Sequence, residues 1–164
     1  MRDPTHLAPY EAALAAVDPA PSSALDLGTG TGQGAFAIAR RFPDAQVVGV
    51  DLADAMLAEA RRKTPAEIAE HVRFENGDAS ALPFPDASFD LVAHANMIPF
   101  FDELARVLAP GGHAVFAFSL GPGTPIYVPV ERIKRELASR GFTEFAEFAA
   151  GKGTALLARK GDRP

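Results

Sequence analysis

Four glycines and an aspartate lie close together near the start of the chain. The glycines occupy positions 28, 30, 32 and 34, directly after a short strand-like run at 24–27 that contains Asp26. Glycine permits positive φ angles and lets a ligand approach the backbone closely, which a Cβ would hinder. The pattern predicts a strand, a ligand-binding turn and then a helix.

The charge of Asp26 favours one class of ligand over another. A dinucleotide-binding turn offers backbone amides and a helix N-terminus to a pyrophosphate, which a neighbouring carboxylate would repel. S-Adenosylmethionine carries a sulfonium and an ammonium group and no phosphate, so an acidic residue beside the turn suits it. Gly30, Gly32 and Ala35 also satisfy the dinucleotide pattern G-x-G-x-x-A, so a nicotinamide cofactor stays open at this point.

Composition narrows the classes of function. The chain has 164 residues, 48% of them hydrophobic, which is enough for one domain with a sizeable core. It contains no cysteine, which excludes thiolate metal sites and a cysteine nucleophile, and we predict no metal site. A net charge of -5 argues against broad nucleic-acid binding. No apolar run is long enough to span a bilayer, and the start lacks a signal-peptide pattern. We expect a cytoplasmic single domain over residues 1–164, with a small-molecule substrate and no nucleic-acid or membrane partner.

Hydrophobic periodicity and the positions of glycine and proline predict alternating strands and helices. The predicted helices cover residues 5–17, 33–42, 54–63, 101–108 and 130–140, and Asp54 is the expected N-cap of the third. The predicted strands cover residues 24–27, 45–50, 71–75, 89–94, 113–118, 143–148 and 154–159. The short connection between the last two strands predicts an antiparallel hairpin. This order predicts an α/β fold with helices on both faces of a mostly parallel sheet.

Four polar residues come at the carboxyl ends of predicted strands. They are Asp26, Asp51, Asp78 and His94. In open α/β sheets, ligands bind outside the carboxyl ends of the strands. We therefore expect these side chains to meet at one rim of the sheet and to form a binding site.

Four segments of the chain, in this order, resemble the class I S-adenosylmethionine-dependent methyltransferases of the small-molecule type with the general methyltransferase domain. They are LDLGTGTG at 25–32, VVGVDLADAML at 47–57, NGDASALPFPDASFDLV at 76–92 and ELARVLAPGG at 103–112. The resemblance covers residues 24–160 and implies that they form a core with a Rossmann-like, doubly wound sheet of seven strands. The helix predicted from periodicity, within residues 1–20, precedes this core. The resemblance also implies S-adenosyl-L-methionine as cofactor and direct transfer of its methyl group to a small-molecule acceptor.

The resemblance assigns the first part of the cofactor site. Asp26 and the backbone of Gly28 and Gly30 would hold the amino acid portion of the cofactor. Asp51 would accept hydrogen bonds from both ribose hydroxyls, since one carboxylate can accept two donors at once.

The adenine portion would be held by residues after the second and third strands. Leu52 and Met56 would flank the ring. Asp78 would accept from the exocyclic amine, and the Ala79 amide would donate to a ring nitrogen.

The acceptor side is less constrained by the sequence, because in-line displacement needs positioning but no obligatory acid or base. His94 is the candidate general base, since the ordinary pKa of histidine lies near neutrality, and it is also a candidate cofactor contact. The candidate substrate-binding residues are Tyr10, Asn96, Ser119 and Tyr127. Tyr10 or His6 is expected near the rim of the cleft.

The segment after the fourth strand is about two helical turns shorter than in the proteins that this chain resembles. Closure of the site then falls to a large substrate or to a second subunit of a homodimer, or else the chain binds the cofactor without catalysing transfer. Three hypotheses follow: a methyltransferase, a cofactor-binding or scaffold protein, and an NAD-dependent oxidoreductase.

Overall fold

A seven-stranded sheet forms the centre of the protein in the computed structural model, which describes residues 6–162. The strands lie in the order β3-β2-β1-β4-β5-β7-β6. Neighbours from β3 to β5 pair in parallel, whereas β7 runs antiparallel to both β5 and β6. The predicted doubly wound sheet with a C-terminal antiparallel pair is therefore confirmed.

The elements follow the predicted alternation along the chain. The strands are β1 (Ser23–Leu27), β2 (Gln46–Asp51), β3 (Val72–Asn76), β4 (Phe89–Ala95), β5 (Leu108–Phe118), β6 (Phe142–Ala150) and β7 (Gly153–Lys160). The helices are α1 (Ala8–Ala15), α2 (Gln33–Arg41), α3 (Asp54–Lys63), α4 (Phe101–Val107) and α5 (Val130–Ala138). Within residues 6–162, none of the helices has the length and apolar character required to cross a membrane.

The predicted elements differ from the structure at several positions. The predicted start of the first helix at Thr5 lies outside the described residues, and α1 begins at Ala8. Strand β5 begins at Leu108 rather than at 113, because Leu108 pairs with Phe89 across a register shift before regular pairing resumes. Asp54 was wrongly predicted as an N-cap: it is the first residue of α3, and Ala53 caps that helix without a side-chain hydrogen bond.

Each face of the sheet has its own hydrophobic core. Tyr10, Phe36 and Leu57 join the core on the face covered by α1, α2 and α3. Leu104 and Ile133 join the core on the other face, which α4 and α5 cover. Because side chains alternate along a strand, this division fixes which residues of each strand can reach a given face.

Candidate functional site

The turn between β1 and α2 has the backbone geometry that its glycines predict. Gly28 and Gly30 have φ angles of 62° and 56°, in the left-handed region that residues with a Cβ rarely adopt. The Thr29 amide donates to the Val50 carbonyl at 2.9 Å, which fixes the turn against the end of β2. A Cβ built on Gly30 would meet no atom within 4 Å and would point into open space. The turn therefore presents bare backbone to a ligand.

Asp26 lies beneath this turn and is almost completely buried. Its Oδ1 accepts a hydrogen bond from the Tyr10 hydroxyl at 2.7 Å, and its Oδ2 accepts one from the Thr29 hydroxyl at 2.7 Å. Burial raises the pKa of Asp26 to about 6, although these hydrogen bonds and one from the Ala35 amide oppose the rise. Asp26 thus holds the turn through its own hydrogen bonds, besides carrying a charge.

Gly34 allows α2 to begin next to this carboxylate. A Cβ at position 34 would lie 2.7 Å from Asp26 Oδ1 and 2.8 Å from Oδ2, closer than carbon and oxygen can pack. The fourth glycine is therefore required by a neighbouring side chain and not by its φ angle, in contrast to Gly28 and Gly30.

Asp51 lies at the end of β2 and also contacts the glycine turn. Its Oδ2 accepts from the Gly30 amide at 2.9 Å, and its Oδ1 accepts from the Ala53 amide at 2.9 Å. Leu52 and Met56 follow it with 66% and 44% of their surfaces exposed. Two apolar side chains left in solvent beside a carboxylate are suited to cover a flat, partly polar ligand.

Asp78 lies beyond the end of β3 in a turn of its own. Its Oδ1 accepts from both the amide and the hydroxyl of Ser80, at 2.8 and 2.7 Å, and these bonds lower its pKa. Asn76, which the sequence did not single out, donates to the Leu52 carbonyl at 3.0 Å and to the Asp54 carboxylate at 2.9 Å. Asn76 thus joins the ends of β2 and β3, which gives Asp54 a role outside capping.

A cleft of about 490 Å³ opens above the carboxyl ends of β1, β4 and β5. Its walls combine the glycine turn with residues just before α1 and residues at the ends of β4 and β5. They are His6, Leu7, Asp26, Gly28, Thr29, Gly30, Gln33, Gly34, Ala95, Asn96, Ser119 and Leu120. The volume lies in the range of small-molecule sites.

Asn96 and Ser119 form a closed pair on the wall of this cleft. The Asn96 side-chain amide donates to the Ser119 hydroxyl at 2.6 Å, and the Ser119 amide donates back to Asn96 Oδ1 at 2.8 Å. The Ser119 hydroxyl also donates to the His6 carbonyl at 2.9 Å, which ties the segment before α1 to this wall. Asn96 has a φ angle of 55°, unusual for a residue other than glycine. Strained backbone of this kind is concentrated at functional sites.

His94 lies on the opposite face of the sheet from Asp26. In the pairing of β1 with β4, His94 is opposite Leu27, whereas Asp26 is opposite Ala93. The His94 ring is fully buried, with its centroid 4.7 Å from that of Phe116, and neither ring nitrogen has a hydrogen-bond partner in the described structure. Burial lowers the pKa of His94 to about 4. A base buried away from the cleft and protonated only in acid does not fit the predicted catalytic role, because it cannot take a proton from an acceptor in the cleft.

The two tyrosines do not lie where the sequence led us to expect. Tyr10 is fully buried under Asp26 and does not reach the rim of the cleft. Tyr127 packs edge-to-face on Phe118, with ring centroids 5.2 Å apart, and lines a separate cavity of about 250 Å³ on the α5 face of the sheet. Of the four predicted substrate-binding residues, Asn96 and Ser119 line the cleft.

Several interactions at the site were not predicted from the sequence. The sequence does indicate the hydrogen bond from the Thr29 hydroxyl to Asp26, since a threonine in a glycine turn is well placed to bond a nearby carboxylate. The hydrogen bond between Tyr10 and Asp26 joins residues 16 positions apart, and no local pattern in the sequence indicates it. Pairings over such distances depend on how α1 packs against the sheet.

The residues present fit S-adenosylmethionine better than a dinucleotide. The open space over Gly30 leaves room for a ligand against the backbone. Two carboxylates contact the turn, Asp26 through the Thr29 hydroxyl and Asp51 through the Gly30 amide, and both would oppose a pyrophosphate. The same carboxylates suit a ligand that carries positive charge and ribose hydroxyls.

Residues 24 to 112 match the family model described as Methyltransferase domain. The chain belongs to the methyltransferase-domain family. The match includes β1 to β4, the glycine turn and both aspartates that contact it, and it ends within β5. Class I members of this family bind S-adenosylmethionine.

Curated relatives of this methyltransferase-domain chain are named for reactions on different small molecules. A demethylmenaquinone methyltransferase of Thermus thermophilus is 50% identical over 107 residues, which are 61% of this chain and 48% of that relative. A trans-aconitate 2-methyltransferase of an Acidovorax species is 37% identical over 161 residues, which are 93% of this chain and 58% of that relative. The chain spans about half the length of these relatives.

Solved structures show the same fold at low sequence identity. Human N-acetylserotonin methyltransferase, whose structure is a complex with S-adenosylmethionine, superposes with a TM-score of 0.72 at 21% identity. The superposition covers 94% of this chain and 52% of the human protein.

Proposed function

We propose that this chain binds S-adenosylmethionine in the cleft between the glycine turn and β4 and transfers its methyl group to a small-molecule acceptor. The observation that carries the proposal is the convergence of Asp26 and Asp51 on one turn. Asp26 lies beneath the turn, and Asp51 accepts the Gly30 amide at 2.9 Å. Both carboxylates contact this turn, and a Cβ built on Gly30 would meet no atom within 4 Å, which leaves open space at the backbone.

The positions of the cofactor-site residues support the roles proposed for them. Asp26 would supply negative charge beneath the turn, and the backbone of Gly28 and Gly30 would contact the amino acid portion of the cofactor. Asp51 has its carboxylate at the end of β2, where it can accept from ribose hydroxyls while it stays bonded to the turn. When bound, adenosylmethionine supplies an electrophilic methyl group for direct displacement.

The adenine contacts belong to the same proposal. Leu52 and Met56 are exposed beside Asp51 and would cover the ring. Asp78 would accept from the exocyclic amine, and the Ala79 amide would donate to a ring nitrogen. The Ser80 hydrogen bonds keep the Asp78 carboxylate ionised, and therefore ready to accept.

On the acceptor side, Asn96 and Ser119 are the residues that would position the nucleophile. Their mutual hydrogen bonds hold both side chains in place on the cleft wall, which limits the motion of a bound acceptor. His94 does not take part in this proposal, because it faces the other core. Transfer then depends on alignment of the nucleophile with the methyl group and not on a dedicated base.

The test is methyl transfer from labelled adenosylmethionine into a metabolite extract. The expected result is label in small molecules together with an equal amount of adenosylhomocysteine, and loss of both in the Asp51→Ala variant. Saturable binding of adenosylmethionine with no transfer to any acceptor would favour the binding-protein hypothesis, which the short segment between β4 and α4 motivates. Tight binding of NAD with no response to adenosylmethionine would favour an oxidoreductase.

Three further predictions concern the protein as a whole. They are a cytoplasmic location, one domain over residues 1–164, and closure of the site by a second subunit of a homodimer where the acceptor is too small to close it. Light scattering with and without adenosylhomocysteine tests the last of these. A monomer under both conditions would contradict closure by a second subunit, and the acceptor itself would then have to close the site.

A further inference from the structure

Tyr10 is a buried ionisable residue that the proposed reaction does not use. It lies on α1, is fully buried, and directs its hydroxyl at the Asp26 carboxylate across 2.7 Å. A buried hydroxyl needs a hydrogen-bond partner, and here the partner is a carboxylate of the cofactor cleft. Phenylalanine would fill the same space at this position, so packing alone does not explain the hydroxyl group.

The hydroxyl affects both the charge and the orientation of Asp26. A hydrogen bond donated to a carboxylate stabilises the ionised form. Burial raises the pKa of Asp26 and the bond from Tyr10 is the largest influence that lowers it, followed by the bond from Thr29. Burial and the nearby Asp26 charge also raise the pKa of Tyr10, so the tyrosine stays protonated and acts as a donor.

The orientation of Asp26 in turn shapes the glycine turn. With Oδ1 held by Tyr10, Oδ2 is directed at the Thr29 hydroxyl inside the turn. The carboxylate then fits against Gly34, where a Cβ would lie 2.7 Å from Oδ1. A chain of contacts therefore runs from α1 through Asp26 to the backbone that the cofactor would contact.

We propose that Tyr10 is a positioning residue for the cofactor site, whose hydroxyl keeps Asp26 ionised and directed at the glycine turn. This inference rests on the proposed function, since the ligand held by the turn is the cofactor. It gives α1 a role in cofactor binding, because the helix supplies the donor. The other titratable groups that face Asp26 are Asp51 at the end of β2 and His6 on the same cleft.

The test compares Tyr10→Phe with the unmodified chain in calorimetric titrations of adenosylhomocysteine between pH 5 and pH 8.5. Asp26 has a pKa of about 6, so the unmodified chain should lose affinity as the pH falls through this value. Without the tyrosine bond, the midpoint of this loss should move upward by about one pH unit. At pH 8.5 Asp26 is ionised in both proteins, and their affinities should agree within about threefold. The amino group of the ligand titrates equally in both series and cancels from the comparison.

Two further variants separate this role from general damage to the fold. Thr29→Val removes the second hydroxyl bond to Asp26 and should move the midpoint in the same direction. Ser139→Ala removes a hydroxyl that bonds the Glu136 carbonyl at the end of α5, at 2.8 Å, and should leave the midpoint unchanged. A loss of affinity in Tyr10→Phe that is equal at every pH, with no shift of the midpoint, would overturn the inference, because it would show that the hydroxyl does not help to keep Asp26 ionised.

A readout without ligand distinguishes this inference from the proposed function. The carboxyl carbon of Asp26, observed by NMR in 13C-aspartate-labelled protein, should titrate near pH 6 and at higher pH in Tyr10→Phe. An unchanged titration in a protein that binds adenosylhomocysteine normally would overturn the inference and leave the proposed function intact. Absence of binding by the unmodified chain at every pH would instead overturn the proposed function, and the cofactor role of Tyr10 with it.

Discussion

Asp51 at the end of β2 accepts a hydrogen bond from the backbone amide of Gly30 at 2.9 Å. The bond joins the residue proposed to bind the ribose to the turn proposed to bind the amino acid portion. Loss of the Asp51 carboxylate should therefore disturb both portions of the site.

This relationship predicts that Asp51→Ala weakens binding of adenosylhomocysteine by about 100-fold, since two charge-assisted hydrogen bonds and the anchor of Gly30 are lost together. Asp54→Ala serves as the matched control. Asp54 is also an aspartate and lies three residues after Asp51, but its carboxylate accepts a hydrogen bond from Asn76 and not from the glycine turn. Calorimetry should show a change of less than about threefold for Asp54→Ala. Equal effects of the two substitutions would mean that the ribose ligand is misassigned.

Gly34→Ala should damage the site by steric conflict alone. The new Cβ would lie 2.7 Å from Asp26 Oδ1, so the carboxylate must leave its bonds to Tyr10 and Thr29. We expect the free energy of unfolding in urea to fall by about 1–3 kcal/mol and cofactor affinity to fall with it.

Gly123→Ala is the control for Gly34→Ala, because a Cβ there has its nearest neighbour, Leu120 Cβ, at 3.8 Å. It should leave both the unfolding free energy and cofactor binding nearly unchanged. A Gly34→Ala protein as stable as the original and equally able to bind the cofactor would show that the Asp26 carboxylate is free to move.

Local patterns in the sequence predict the succession of strands and helices along the chain and the glycine turn, because hydrophobic periodicity and the need for positive φ at Gly28 and Gly30 are local properties. The two faces of a strand were harder to assign. The direction of His94 depends on the register of β4, and a shift of one residue exchanges the faces. The burial of Tyr10 depends on the packing of α1 against the sheet, which the helical period alone does not determine.

The Asp54 cap shows a different limit. Aspartate is a preferred N-cap residue, and its position before an apolar helix gave a reasonable prediction. In the structure the N-cap is Ala53, one residue before Asp54, and the Asp54 carboxylate accepts a side-chain bond from Asn76 at 2.9 Å. Boundary shifts of one residue lie within the scatter of helix ends, yet they change the partner of a side chain.

His94→Leu should stabilise the protein in acid. Burial lowers the pKa of His94 from 6.5 to about 4, so between these values the unfolded chain binds a proton at this residue and the folded chain does not. The histidine contribution to the unfolding free energy is therefore full above pH 6.5 and falls as the pH drops towards 4. We compare the unfolding free energy of His94→Leu with that of the original chain at each pH. The difference should be more favourable to the variant at pH 4 than at pH 7, by up to about 3 kcal/mol.

Urea denaturation at the two pH values measures this gain, and a difference between the proteins that is the same at pH 4 and pH 7 would contradict it. Methyl transfer by His94→Leu at pH 7.5 should stay within about threefold of the original, since the ring faces the core that contains Phe116. If the variant is folded and binds the cofactor normally but its methyl-transfer rate is lower by 100-fold or more, the result would support His94 as the general base.

Asn96 supplies the last prediction, because it combines a φ angle of 55° with two hydrogen bonds to Ser119. Asn96→Gly removes the side-chain bonds and leaves the left-handed backbone easily accessible, whereas Asn96→Ala removes the same bonds but keeps a Cβ in that region. We expect Asn96→Ala to lower the unfolding free energy in urea by about 1 kcal/mol more than Asn96→Gly. Both should raise the KM for the acceptor more than the Kd of adenosylhomocysteine, since the pair lines the cleft at the ends of β4 and β5 and is not part of the glycine turn. If Asn96→Ala is no less stable than Asn96→Gly, the left-handed backbone at this position is not a source of strain.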